Sequence, residues 1–544
     1  MPDKDMTNDI PTVAQIETTS LSDVPAAIAM ARRALDAGVA SPLLLNLRAY
    51  WLETQGRLDE ALADLEQART MAPKDALIHN AIGECLTKLL RIPEAINAFD
   101  EAIRLAPGMA LARFNKGYAY ERLGLLDLAQ RCYERAAEQD AGQSRPLARL
   151  ATLAARRSNW QDARSLADHA LALDPRDSNA LFAHATADIA EGKLDEAEQR
   201  LRIVLDDAAM DAEEHATASS MLGDVFDEHG RTTDALAAYN TANKGLRDFF
   251  TPQFGAGKTE TISALTTRLG AEFRRVPADA WKRPATEAAD APAQLVFLLG
   301  FPRSGNTLLG QVLAAHPMVE TLEEKVPLVD SIRDFMDAPD GMAKLASADE
   351  AELEVYRQHY WRHVRGFGLH LRDKVLVDKM PFNILRLPLI AKLFPDAKIL
   401  LATRDPRDVV FSCYRRLFAM HPLTYEFLTL EGTAAAYDAV MRLADTYRAG
   451  LALNLLDVRN EDLIADFERR TREICDFVGL PWNKDMHNFA ERAKVEAIAT
   501  PSAPQIARGL NSDGVGQWGR YEAFMAPVLP VLQPWVDRMN EIGQ

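Results

Sequence analysis

Leu295-Val296-Phe297-Leu298-Leu299-Gly300-Phe301-Pro302-Arg303-Ser304-Gly305-Asn306-Thr307-Leu308-Leu309 decides the fold of the second half of this chain. The five residues from Leu295 to Leu299 are fully apolar, as in a parallel strand buried on both faces. Leu308-Leu309-Gly310-Gln311-Val312-Leu313 reads as a helix closed before Pro317. Strand, glycine loop and helix together predict a loop that binds phosphate, with backbone N–H groups and the helix N-terminus converging on an anion. Gly300, Gly305 and Thr307 keep the spacing of such a loop, but Asn306 stands where its lysine would be and Arg303 lies inside it. The missing lysine argues against ordinary ATP hydrolysis, and a guanidinium in the loop suits an anion placed differently.

Further along, Lys398-Ile399-Leu400-Leu401-Ala402-Thr403 reads as a second buried strand running into Arg404-Asp405-Pro406-Arg407-Asp408. Asp405 is the expected N-cap, Pro406 the first helical residue and Asp408 a first-turn acid. Arg404 then lies at the carboxyl edge of the sheet, where open α/β folds bind ligands, and Ser412 lies about two turns on. Arg and Ser on that rim suit one phosphate. Arg407 and Arg415 read as ordinary helix-surface charges, and His316 before Pro317 as packing.

The first half repeats itself. Ala61, Ala95, Ala129, Ala163 and Ala197 recur every 34 residues, as do Leu65, Phe99, Tyr133, Ala167 and Leu201. Ala68, Ala102, Ala136, Ala170 and Val204 keep the same interval, and Gly83 and Gly117 share another slot. After a short insertion near Ala212 to His215, Gly223, Ala235, Tyr239 and Ala242 resume the pattern. Small residues let two antiparallel helices approach, bulky ones fill beside them, and Pro73, Pro107 and Pro175 stop second helices. The pattern resembles the tetratricopeptide repeat over about six repeats. Stacked repeats form a solenoid with a concave groove. Such a groove suits a bound peptide or protein, with self-association or docking of the second domain as the alternative. The Cys and Tyr residues inside the repeats read as core fillers.

Four units are expected. They are 1–41 with a capping or partial-repeat helix, 42–244 as the repeat array, 245–292 as a helical linker, and 293–544 as the α/β domain. Ala256-Gly257-Lys258-Thr259 is half of a phosphate loop, but Pro252 replaces the first glycine and no apolar strand precedes it, so it reads as linker.

Composition narrows the function. Of 544 residues, Lys and Arg number 62 against 79 Asp and Glu, a formal net charge of −17, which argues against a broad nucleic-acid surface. No run approaches 18 apolar residues, so no membrane span is expected. Met1 to Val13, carrying Asp3, Lys4, Asp5 and Asp9, does not read as a signal peptide. The four cysteines show no metal-ligand or disulfide spacing, which favours a reducing compartment, hence the cytoplasm, and no metal.

The loop from Phe301 to Leu309 resembles the 5′-phosphosulfate loop of sulfotransferases that use 3′-phosphoadenosine 5′-phosphosulfate (PAPS). Arg404 with Ser412 resembles their 3′-phosphate motif. Glu323-Glu324-Lys325-Val326-Pro327 and Asp378-Lys379-Met380-Pro381-Phe382-Asn383 are similar to the base and lysine segments of tyrosylprotein sulfotransferases. Thr500-Pro501-Ser502-Ala503-Pro504-Gln505, leading to Trp518 and Tyr521, resembles the segment that closes over the nucleotide.

The resemblance implies a three-layer α/β P-loop-like domain with a mainly parallel sheet behind the helical solenoid. It implies that Arg303, Ser304, Gly305, Asn306, Thr307 and Leu308 cradle the 5′-phosphosulfate, while Arg404 and Ser412 hold the 3′-phosphate. Glu324, favoured over Glu323, is then the general base. Lys379 neutralises charge on the transferred group, with Arg303 assisting and the Ser502 hydroxyl near the leaving group.

PAPS is the implied co-substrate and a protein tyrosine, saccharide or lipid hydroxyl the acceptor. Alternatives stand beside this reading. The Glu pair also reads as solvated surface acids and Ser502 as a turn cap. Asp378, ending an apolar run, also reads as a metal ligand of an ATP-using P-loop kinase. A non-catalytic repeat scaffold with a nucleotide-sensing domain is the remaining class. Three departures from the family pattern are visible. Asn306 replaces the commoner threonine, Asn460 a frequent tyrosine near the adenine, and Gln517 a common basic residue. Thr321 and Val377 stand where the secretory enzymes carry a disulfide.

Overall fold

The computed structural model describes residues 10–208, 210–281, 294–496, 506 and 509–542. The chain divides into two compact units. One runs up to Ala155 and includes Asn159–Ala187; the other comprises Arg156–Ser158 and the chain from Asp188 onward.

The first unit is built of antiparallel helix pairs, such as Ala76–Lys88 with Ile92–Leu105 and Ala110–Arg122 with Leu126–Gln139. The repeating small residues sit at the closest approaches. A Cβ added at Gly83 would lie 2.4 Å from the Phe99 ring, and one at Gly117 would lie 2.7 Å from the Tyr133 ring. The 34-residue interval also fixes a left-handed backbone slot in the turns. It holds Gly56, Leu90, Gly124, Ser158 and Gly192, with φ of 71°, 60°, 71°, 56° and 75°. Leu90 and Ser158 adopt there a conformation that side chains disfavour.

The second unit opens with the closing repeat helices, including Ala212–Glu228 and Thr232–Phe254. Ala212–Glu228 has 17 residues where the first helix of an earlier repeat has 13, so the insertion lengthens that helix at its start. Gly223 meets Tyr239 as Gly83 meets Phe99. Five parallel strands follow: β1 (Gln294–Gly300), β2 (Val319–Glu323), β3 (Val375–Lys379), β4 (Lys398–Thr403) and β5 (Asn454–Arg459). Their order is β2-β3-β1-β4-β5. The chain leaves β1 toward β2 and β3 on one side and later returns to β4 on the other. The carboxyl ends of β1 and β4 therefore flank the point where the winding reverses, the usual ligand crevice of such sheets.

Helices cover both faces. Leu309, Val312 and Leu313 of the loop helix, Asn306–Ala314, pack on Val296, Leu298 and Val377. On the opposite face Phe297 meets Tyr360 and Phe394. Strand alternation sends Asp378 to this second face, where Tyr360 donates to its carboxylate at 3.0 Å, while Lys379 returns to the loop-helix face. Asp378 thus points away from the phosphate loop, which argues against the metal-ligand role weighed for it. Across β2 and β3, Thr321 pairs with Val377 and Glu323 with Lys379.

Candidate active site

The loop after β1 owes its shape to residues with positive φ. Gly300, Arg303 and Gly305 have φ of 153°, 68° and 96°. Gly305 is the N-cap of the loop helix and supplies no side-chain cap. A Cβ on it would lie 2.6 Å from Asn460 Oδ1, so only glycine lets Asn460 pack against the loop. Asn306 Nδ2 donates to the Phe301 carbonyl at 2.9 Å and ties the loop to its own start. The first N–H groups of the helix are left for an anion.

A cavity of about 500 Å³ opens over this loop. Arg303, Gly305, Asn306, Thr307 and Leu308 line it, and so do Arg404 and Glu324. The two arginines therefore border one cavity. Arg303 Nε donates to Ser412 Oγ at 2.9 Å, and Arg404 Nη1 donates to the Arg303 carbonyl at 3.3 Å. Burial, reinforced by the nearby Arg416 and Arg404 charges, pushes the Arg303 guanidinium down to about 9. Burial likewise lowers Arg404, against the pull of Asp408 and Glu461. A pocket that disfavours its own cations in this way is one that an anion stabilises.

Three of the predicted site residues, Ser304, Ser412 and Lys379, are buried and do not line this cavity. The Ser304 N–H donates to the Phe301 carbonyl at 3.3 Å. Ser502 and the stretch around it lie outside the described residues.

Lys379 is fully buried between the two glutamates. Its Nζ lies 2.7 Å from Glu324 Oε1 and 2.9 Å from Glu323 Oε2. Burial alone would lower this ammonium, but Glu323 and Glu324 more than reverse that and leave it raised. The two acids differ in outlook. Glu323 accepts from Gln311 at 3.2 Å behind the loop helix, whereas Glu324, in a left-handed turn with φ of 50°, faces the cavity. The pair are not simply solvated surface acids.

Other residues at the site correct or extend the sequence reading. Arg415 is 4% exposed, not a surface charge, and bonds to Asp227 and Gln517 at 3.0 and 2.6 Å. Arg407 pairs with Asp405 at 2.6 Å and lies 4.3 Å over the Trp518 ring. Gln517 therefore faces Arg415. His316 is packed in, bonded to the Pro481 carbonyl at 2.8 Å and accepting from Met318 N at 3.1 Å.

Two features escaped the sequence. Asp408 accepts from the Gly516 and Trp518 N–H groups at 2.7 and 3.0 Å and pins the segment that roofs the cavity. Phe382, Leu417, Phe418 and Ala419 give the same cavity an apolar part of its lining, and His421 lines it too. The apolar character of 417–419 was the available signal. Among the described residues no His, Cys, Asp and Glu cluster has a metal-binding arrangement.

Comparison with known proteins agrees with this geometry. Residues 295–484 match a family described as "Sulfotransferase family", and residues 20–76, 86–146 and 182–245 match "Tetratricopeptide repeat". A protein of Aquifex aeolicus (strain VF5), named only "Uncharacterized protein", is 26% identical over 45% of this chain and 33% of its own length. "Protein-tyrosine sulfotransferase 1" of Danio rerio is 26% identical over 45% of this chain and 72% of its own, and "Protein-tyrosine sulfotransferase A" of Caenorhabditis elegans is 25% identical over 41% and 60%. The chain thus spans between a third and about seven-tenths of the length of these relatives. The crystal structure of YrrB, described as a TPR protein with an unusual peptide-binding site, aligns at 21% identity and a TM-score of 0.26, covering 34% of this chain and 93% of that one. The chain thus joins a stretch similar to tetratricopeptide repeats to one similar to the sulfotransferase family.

Proposed function

We propose that this chain transfers a sulfuryl group from PAPS to a hydroxyl acceptor. The observation that carries the proposal is that Arg303, Arg404 and Glu324 all line one cavity. The loop-helix N-terminus, Arg303, Gly305, Asn306, Thr307 and Leu308 suit the 5′-phosphosulfate. Arg404 suits the 3′-phosphate that separates PAPS from ATP-like nucleotides, with Ser412, buried behind the cavity lining, bonded to Arg303 beside it.

In the reaction the acceptor oxygen attacks sulfur in line, the bond from sulfur to the bridging phosphate oxygen breaks, and adenosine 3′,5′-bisphosphate (PAP) leaves. Glu324 takes the acceptor proton. Lys379, released from one of its glutamates, meets the negative charge that gathers on the transferring oxygens. Fixed cations and amides supply such catalysis by analogy with phosphoryl transfer.

The apolar lining that Phe382, Leu417 and Phe418 give the cavity of Glu324 favours an aromatic hydroxyl over a saccharide or lipid headgroup. The repeats then bind a protein or peptide, either the acceptor or another partner. A cytoplasmic setting fits the four free thiols. The competing kinase reading is weakened by Asn306 in the lysine position and by Asp378 on the opposite face of the sheet. Titration calorimetry of the full chain separates the readings. Tight PAP binding with much weaker ADP binding supports the proposal. Equal affinity for the two, or magnesium-dependent ATP turnover, contradicts it.

A further inference from the structure

The helix Pro406–Arg415, which follows Arg404 and carries Ser412, ends against the last repeat pair. Its terminal carbonyls, which no intrahelical N–H reaches, find partners there. Asn243 Nδ2 donates to the Tyr414 carbonyl at 2.8 Å and Ser220 Oγ to the Arg415 carbonyl at 3.3 Å. The side chains are gripped as well. Arg416 pairs with Asp224, whose other donor is the Tyr239 hydroxyl at 2.8 Å. Asp227, 8% exposed at its side chain, receives Arg415 Nη1 at 3.0 Å, Arg520 Nη2 at 2.9 Å and the Tyr521 hydroxyl. One carboxylate thus joins the helix under the 3′-phosphate site to residues 514–521. That segment meets Arg404 through the Gly514 carbonyl, Asp408 through two N–H groups and Arg415 through Gln517.

Electrostatics explains why acids come from the repeats. Arg404, Arg415 and Arg416 all lie close enough to Arg303 to depress it. Four guanidiniums gathered in a half-buried space repel one another unless carboxylates divide them. Asp224 and Asp227 engage Arg416 and Arg415, while Arg303 and Arg404 face the cavity.

We propose that Asp227 is a positioning residue of the nucleotide site, so that the last repeat pair is a working part of that site rather than a separate module. The inference rests on the donor reading given above. Asp227 acts through Arg415 and Tyr521, holding the 3′-phosphate helix and the roofing segment in register. Loss of its charge frees Arg415 to be repelled by its neighbours and unpins Tyr521. The 3′-phosphate contacts suffer most, and the 5′-side loop, built on β1, least.

The test uses the full chain with Asp227→Asn and, as a gentler change, Tyr521→Phe. PAP and ADP are titrated by calorimetry, and amide hydrogen exchange is followed in peptides covering residues 514–521. Asp227→Asn is expected to weaken PAP by roughly tenfold, the size usual for a residue acting through its neighbours. ADP should change little, so the preference for PAP narrows, and exchange in 514–521 should quicken. Tyr521→Phe should move each quantity the same way by less. An unchanged preference overturns the proposal, and so does tighter binding of both nucleotides, which would mean that Asp227 merely lowers the local charge. If the wild type binds neither nucleotide, the donor reading fails on its own. Exchange alone then decides, with unchanged protection counting against the positioning role. Should Asp227→Asn not fold, the Tyr521→Phe result decides.

Discussion

Replacing Arg404 by alanine tests the nucleotide assignment where the structure is most exacting. The side chain is 8% exposed and bonds to the Arg303 and Gly514 carbonyls, with its Nε buried and lacking a partner among the described residues. A guanidinium held this way is preorganised for a phosphate. Hydrogen bonds to charged groups contribute about 1.5–3 kcal/mol each. Loss of one forked contact to the 3′-phosphate therefore costs about 3 kcal/mol, or roughly 100-fold in PAP affinity. ADP lacks that phosphate and should lose only a few-fold, through slackening of the loop. Calorimetry with both nucleotides reads the ratio, and circular dichroism checks the fold. Arg404→Lys should fall between, keeping charge but not the fork. An Arg404→Ala protein that still discriminates PAP from ADP like the wild type would overturn the 3′-phosphate assignment.

Three further outcomes follow from particular contacts. Lys379→Met should abolish turnover yet leave PAP binding within a few-fold, and it should lower stability by about 1–2 kcal/mol, because Glu323 and Glu324 lose their counter-charge but keep contact with water; steady-state kinetics and urea unfolding report the two effects. Burial pushes the Asp378 carboxyl from 3.8 up to about 7, against the Tyr360 hydrogen bond and the Arg386 charge. The folded state then holds a proton that the unfolded chain has released, so this group's stability is complete below pH ~4 and is lost as pH rises through ~7. Asp378→Asn should therefore be more stable than wild type at pH 8, by up to about 4 kcal/mol, with the advantage vanishing near pH 4. Urea midpoints across that range check the sign. Leu90→Gly relieves a left-handed leucine that is 66% exposed, and should raise the stability of the repeat unit by about 1 kcal/mol in urea unfolding.

The repeat helices and the phosphate loop were legible because their causes are local. A 34-residue interval of alanines dictates helix pairing, and an apolar run meeting Gly300 and Gly305 dictates strand, turn and helix. Asp405 could be read as a cap, and its side chain does accept from Arg407 N at 2.9 Å. What stayed hidden depends on partners distant in sequence. Arg415 looked like a surface charge because Asp227, its counter-ion, lies 188 residues earlier. The resemblance favoured Glu324 over Glu323, but the sequence could not show that the β2–β3 register sets Glu323 opposite Lys379 while Glu324 lines the cavity. The strain at Leu90 was masked because glycine fills the neighbouring slots at 56 and 124 but not this one.

On the proposed reading, one cavity brings a doubly phosphorylated nucleotide against a carboxylate base. The most direct test of that reading is single-turnover transfer from sulfur-labelled PAPS by the full chain, presented with a panel of tyrosine peptides, saccharides and lipids and compared with Glu324→Gln. Label should move to an acceptor hydroxyl with wild-type protein, and Glu324→Gln should bind PAP normally while transferring about 10²–10⁴ times more slowly. Equal transfer rates for the two proteins would contradict the account.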